Sequence, residues 1–168
     1  HKKGICPYLF CPQTILIDKD YLFPIISEFE VTPRLLYTDQ AFLPESDKLL
    51  PYRYSKYDYI IPEDNIFTFS LIEYQIITKR FHYIDGKKHY GRFYRDFTNG
   101  KRPNISCIDN ECVRKLIMNC WDQDPKNRMS FDQILNYITN EEFINSFRSI
   151  DTDMVKHYLE IYGDEFKE

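Results

Sequence analysis

Residues 66–78 read IFTFSLIEYQIIT. Ile66, Phe67, Phe69, Leu71, Ile72, Tyr74, Ile76 and Ile77 spread apolar surface over most of a helical circumference. The β-branched content leaves a strand open, but the length of the run favours a helix. A helix that is apolar on nearly all sides belongs in the centre of a fold. The expectation is a mainly α protein organised round a central buried helix at 65–78.

Three further helices follow toward the C-terminus. Asp109 is placed to cap the first, and Val113, Leu116, Ile117, Cys120 and Trp121 then recur at three- and four-residue spacing until Asp124-Pro125 ends the pattern. Ser130-Phe131-Asp132-Gln133 has the form of a capping box, with Phe131, Ile134, Leu135 and Ile138 as the buried stripe behind it. A last helix starts near Asp151 or Asp153, with Val155, Tyr158 and Leu159 turned inward. Core packing accounts for all three stripes. Between the central helix and these lie a basic, polar loop at 79–88 and a short helix at 89–98, closed by Asn99-Gly100.

Toward the N-terminus, residues 15–27 read as a small β-hairpin. Ile15 and Ile17 alternate, Asp18-Lys19-Asp20 supplies a polar turn, and residues 22–26 resume an apolar strand in which Pro24 suits an edge. Residues 31–58 show no clean period and are punctuated by Pro33, Pro44 and Pro51, which reads as a long ordered loop with room for one short helix; a loop of that length is usually functional or mobile. No internal repeat or low-complexity tract is present.

Composition bounds the function. The chain has 168 residues, 43% hydrophobic and 29% charged, enough for one domain with its own core. Its five glycines, Gly4, Gly86, Gly91, Gly100 and Gly163, form no phosphate-cradling glycine pattern. A net charge of −4 argues against a broad nucleic-acid surface, and no apolar run is long enough for a membrane helix. Cys6, Cys11, Cys107, Cys112 and Cys120 lack C-x-x-C spacing and the four histidines are scattered. Reduced core thiols in a cytoplasmic setting are the expected reading, with no metal site. The first residue is His1 rather than Met, which reads as a piece of a longer chain.

Residues 1–18, HKKGICPYLFCPQTILID, resemble the catalytic-loop segment of a eukaryotic protein kinase, HSKGIIHRDLKPxNILID, without a gap. Further motifs follow in the family's order. Ser27-Glu28-Phe29-Glu30 stands where the family has S-D-F-G, and Leu50-Pro51-Tyr52 where it has A-P-E. Residues 65–70, NIFTFS, resemble D-V-Y-S-F-G at the start of the family's helix F, and residues 99–103, NGKRP, resemble N-G-x-R-P. Cys120-Trp121, Asp124-Pro125 and Arg128 resemble C-W-x-x-D-P-x-x-R-P, which points to the tyrosine-kinase-like group. The resemblance covers about residues 1–140. It implies a kinase C-terminal lobe with an activation-segment-like loop at 28–52 and helices F to I, followed by a C-terminal helical extension at 141–168. The N-terminal lobe, with its ATP-covering loop, would lie in the parent chain. Helix F is covered by helix E in the family, so in this chain expressed alone one side of residues 66–77 is expected to be sticky.

The same resemblance marks where phosphotransfer chemistry has been altered. Kinases work mainly by positioning and electrostatic neutralisation. The catalytic-loop Asp is replaced by Leu9, the phosphate-steadying Lys by Cys11, the metal-holding Asn by Thr14 and the metal-binding Asp by Glu28. Leu9 has no polar side-chain atom, and Glu28 displaces its carboxylate by a methylene that Mg²⁺ tolerates poorly. Glu28 is thus a weak metal candidate at best. Three family positions have structural roles: Asn65 stands for the helix-F Asp that tethers the catalytic loop, Trp121 is a core residue, and Arg128 has Tyr52 where its usual Glu would be. Asp132, a main-chain carbonyl or solvent remain open as partners for Arg128.

Two functions follow. The first is a catalytically inactive pseudokinase fragment that binds another protein through residues 79–98 or 31–50, where Arg80, Phe81, Tyr83, Arg92, Tyr94 and Arg95 mix aromatic and basic character. A solvated charged rim explains the same residues equally well. The second is an active kinase that uses ATP and Mg²⁺ and draws its N-terminal lobe from elsewhere in the parent chain. A decayed gene product without a selected role is the third reading.

Overall fold

The computed structural model describes residues 10, 14–19, 24–27, 61–79, 96–97, 99–149 and 151–162. Within them the fold is mainly helical, with one small antiparallel sheet. Strand β1 (Ile15–Ile17) pairs with β2 (Pro24–Ile26) in the register Ile15 to Ile26, Leu16 to Ile25 and Ile17 to Pro24. This is the expected hairpin. With two strands both are edges, so Pro24 leaves no inner ladder bond unmade.

Helix α1 (Pro62–Thr78) is the central element. It begins earlier than its apolar run, at a proline whose fixed φ and missing N–H suit the first helical position. The Asp64 carboxylate accepts from the Ile61 amide at 3.1 Å, a half capping box, since Ile61 has no polar side-chain atom to return the bond. Ile66, Phe67, Leu71, Ile72 and Tyr74 are buried, and so are Thr68 and Ser70 between them. Those two hydroxyls are satisfied within the helix, Thr68 donating to the Asp64 carbonyl at 3.1 Å and Ser70 to the Phe67 carbonyl at 2.6 Å. The expected all-round burial fails at the C-terminal end, where Ile76 is 69% and Ile77 40% exposed.

Helix α2 (Glu111–Cys120) packs along α1. Its cap is Asn110 rather than Asp109: Asn110 accepts from the Val113 amide at 3.1 Å and donates to the Ser146 carbonyl and hydroxyl at 3.2 and 2.9 Å. An amide does both jobs, where a carboxylate could only accept. Val113, Leu116, Ile117, Cys120 and Trp121 are all buried, as their spacing predicts.

A short 3₁₀ turn (Pro125–Asn127) leads to α3 (Phe131–Ile138), whose capping box is complete: Gln133 N–H donates to Ser130 at 3.2 Å and Ser130 N–H to Gln133 at 2.8 Å. Of the predicted stripe only Ile134 is fully buried, while Phe131, Leu135 and Ile138 are half-buried. Helix α4 (Glu141–Asn145) is a separate short element at the start of the 141–168 stretch, ahead of the helix expected from Asp151 or Asp153. It is a short turn capped by Asn140 that brings Phe143 and Phe147 against the core. Helix α5 (Thr152–Tyr162) starts where Asp151 accepts from the Asp153 and Met154 amides. Its Val155, Tyr158 and Leu159 are half-buried.

Among the described residues the core has two clusters, both built on α1. Phe67, Leu71 and Tyr74 meet Phe97, Ile108, Val113, Ile117 and Trp121 on one side, and Ile66 meets Leu116, Cys120 and Ile134 on the other. Among the described residues no helix is long and apolar enough to cross a membrane.

Among the described residues, two in the left-handed region end helical segments. At Gly100 (φ +78°) the Gly100 amide reaches the Phe97 carbonyl and the Lys101 amide the Asp96 carbonyl, the Schellman pattern that the Asn99-Gly100 stop predicts. The helix expected at 89–98 otherwise lies outside the described residues. At the end of α1, Lys79 adopts φ +55° with a side chain attached. The atom nearest a Cβ built on Gly100 is the Gln123 side-chain oxygen at 4.0 Å, so Gly100→Ala meets backbone strain without a clash. It is expected to cost ~1 kcal/mol, whereas Lys79→Gly is expected to gain ~0.5–1 kcal/mol. Urea unfolding of the two variants checks the opposite signs.

Candidate functional site

The positions that the sequence singles out fall at two places. The first is the base of the hairpin. Thr14 is buried, and its carbonyl accepts both the Ser27 amide at 2.7 Å and the Ser27 hydroxyl at 3.1 Å. Phe10 is buried as well. The chain leaving β2 is thereby pinned to residue 14 immediately before Glu28. Glu28 itself, with Leu9 and Cys11, lies outside the described residues, as do the loop at 28–52 and residues 80–95.

The second place is the first turn of α1 against the turn after α2. Arg128 has a fully buried side chain there. Its Nε donates to the Asp122 carbonyl at 2.9 Å and its Nη1 to the Glu63 carbonyl at 2.7 Å, with the guanidinium 4.9 Å from the centroid of the Phe67 ring. Of the partners left open by the sequence, the main-chain carbonyls are chosen. Asp132 is exposed. The carboxylate near Arg128 is Asp64, 3.8 Å away, too far for a hydrogen bond and close enough for Coulomb attraction. Burial pushes the Asp64 carboxyl above the ordinary carboxylate range, opposed by the Ile61 amide and by Arg128. Asn65, next in the chain, is buried.

Arg102, named by the sequence only as part of a motif, is a second anchor. It donates to the carbonyls of Trp121 (2.9 Å), Phe97 (3.2 Å) and Lys101 (2.9 Å) and to the Gln123 side chain (2.9 Å). Its guanidinium lies 5.1 Å from the centre of Phe67 and 5.4 Å from that of Phe97. Trp121 is a buried core residue, with its ring 6.1 Å from Tyr74. The signal for Arg102 is its place after Asn99-Gly100: a chain reversal brings its side chain back over the helix end it follows.

This arrangement holds backbone segments together. Arg128 is buried and committed to carbonyls, so it is not a clamp for an anion in solution. Among the described residues no group of three or more His, Cys, Asp or Glu side chains could hold a metal ion.

Three curated proteins are similar to part of the chain. The chain is 36% identical over 81 residues to a probable serine/threonine-protein kinase of Dictyostelium discoideum, covering 48% of this chain and 9% of that protein. It is 36% identical over 95 residues to the dual specificity protein kinase shkD of the same organism, covering 56% and 12%. It is 32% identical over 81 residues to the probable serine/threonine-protein kinase roco7, covering 45% and 3%. The chain therefore spans only a small fraction of the length of these curated relatives, and the relationship is kinase-like over about half of it. No family model matches the chain, and no solved structure matches it.

Arg128→Met removes the donors from two buried carbonyls and the cation from beside Asp64. It is expected to destabilise the fold by ~3–5 kcal/mol. Arg128→Lys keeps the charge but not the fork that spans both carbonyls, and is expected to cost ~1–3 kcal/mol. Denaturant midpoints of the two variants test the order.

Proposed function

We propose that this chain is a pseudokinase-type module of the tyrosine-kinase-like group: a C-terminal-lobe scaffold at 1–140 with a helical extension at 141–168, acting in the cytoplasm by binding another protein. The observation that carries the reading is Leu9 at the position of the catalytic Asp, since an alkyl side chain neither accepts nor orients the proton of a substrate hydroxyl. Cys11, Thr14 and Glu28 alter the charge clamp and both metal positions at the same time. The donor set does not suit Mg²⁺. Thr14 is buried and offers a hydroxyl where an amide carbonyl is wanted, and Glu28 is a methylene too long. Residues 79–98 and 31–50 are the proposed partner surfaces because they mix aromatic and basic side chains.

The second reading, an active ATP-dependent kinase completed by an N-terminal lobe in the parent chain, draws on the three relatives, each of which is named as a protein kinase.

Incubating the full-length protein with radiolabelled ATP and Mg²⁺ separates the two. The expected outcome is no label on a general acceptor protein and no Mg²⁺–ATP-dependent rise in melting temperature. Leu9→Asp alone is expected not to restore transfer, because the clamp and metal positions stay altered. Transfer by the wild type that disappears in Glu28→Ala would establish the kinase reading instead.

A further inference from the structure

The packing of α1 on α2 contains one acid that the scaffold does not use. Glu73 lies in the body of α1, between the buried residues Ile72 and Tyr74. Its Oε2 is buried and makes no hydrogen bond. A carboxylate oxygen in that position is costly when charged and much less so when protonated.

The groups around it give no relief. On α2 the titratable neighbour is Cys120, wholly buried, whose thiol is pushed up to about 12, first by burial and then by the Glu73 charge, against a pull from Arg128. It stays a neutral, weakly donating S–H at any ordinary pH. Arg128 is engaged with the Asp122 and Glu63 carbonyls. On the other elements beside α1, Lys126 in the 3₁₀ turn and Asp132 on α3 are exposed, as is Lys79 at the end of α1 itself. Burial alone acts on Glu73 and pushes its carboxyl up to about 7.

We propose that Glu73 is a proton-operated switch between α1 and α2: the acid form seals the helix pair, and ionisation loosens it. The sign follows from linkage. The folded chain holds this proton more tightly than the unfolded one, for which 4.5 is the ordinary value. The stabilisation is therefore complete below about pH 4.5, declines as pH rises and is gone once pH has passed about 7. Glu73 as a residue is only half-buried, which discounts the effect. A fall of roughly tenfold to a hundredfold in the folding equilibrium constant between pH 5 and pH 8 is expected.

The test is urea unfolding of the full chain and of Glu73→Gln across that range. The wild type is expected to lose stability relative to the variant as pH rises, and amide exchange in residues 71–77, corrected for its intrinsic pH dependence, is expected to quicken in the wild type only. Parallel pH profiles in the two proteins would overturn the proposal. Should Glu73→Gln fail to fold, carbon-13 NMR of glutamate carboxyls in the wild type decides: a carboxyl titrating near pH 7 supports the switch, and none titrating above pH 5.5 sinks it.

Discussion

A buried guanidinium needs acceptors, and Arg128 finds two of them, for Nε and Nη1, in the protein's own backbone. Its two carbonyl acceptors belong to segments far apart in sequence, Glu63 in the first turn of α1 and Asp122 after α2. The same charge lies against the ring of Phe67, and Arg102 approaches that ring too while gathering the carbonyls of Phe97, Lys101 and Trp121. Phe67 is therefore more than apolar filling. With Phe97 edge-on at 5.7 Å, its ring is where the start of α1, the reversal at Gly100 and the end of α2 converge. Of the two arginines, Arg128 ties the first turn of α1 to the turn after α2, and Arg102 ties the reversal at Gly100 to the end of α2.

Helix α1 also carries polar residues in its buried stretch. A helix enclosed by neighbours cannot expose a hydroxyl to water, so Thr68 and Ser70 turn theirs back onto the helix's own carbonyls. Asp64 is used twice, as the acceptor for the Ile61 amide and as the charge nearest Arg128. Asp64 Oδ1 and Glu73 Oε2 are both buried without a hydrogen bond; Asp64 has Arg128 nearby, whereas at Glu73 protonation and packing are proposed to be coupled.

The sequence discloses the parts of this fold that depend on local rules. Spacing found the buried face of α2, the Ser130–Gln133 pair announced the start of α3, and Asn99-Gly100 announced the left-handed stop. What it missed has a long-range cause. Asp109 and Asn110 are equally good local caps, and the choice between them is made by Ser146, which needs a donor that only the amide has. The start of α1 escaped because its first turn is polar, and apolar periodicity does not register a cap. Helix α4 is too short to show a period at all. At the site, Arg128 was visible as a motif residue, but its partners were not, because a main-chain carbonyl leaves no trace in the identity of the residue that bears it. Leu9, Cys11 and Glu28 lie outside the described residues, so their substitutions stand as readings of sequence alone.

On the proposed reading a kinase-like scaffold persists where its catalytic chemistry does not, and the two depend on different atoms. In kinases the catalytic positions depend on particular side-chain atoms; on the proposed reading, Leu9 in place of an acid removes the proton acceptor. The anchors here depend chiefly on carbonyls, which every residue supplies and no substitution removes. The resemblance places Tyr52 where a glutamate would face Arg128, yet Arg128 is held without it, by the Glu63 and Asp122 backbone. Loss of that carboxylate costs the scaffold an ion pair and leaves the packing of α1 on α2 in place. Selection acting only on folding would then keep Arg102, Trp121 and Arg128 and be indifferent to residue 9. On the proposed reading, that asymmetry is why fold markers and altered catalytic positions occur side by side in one chain.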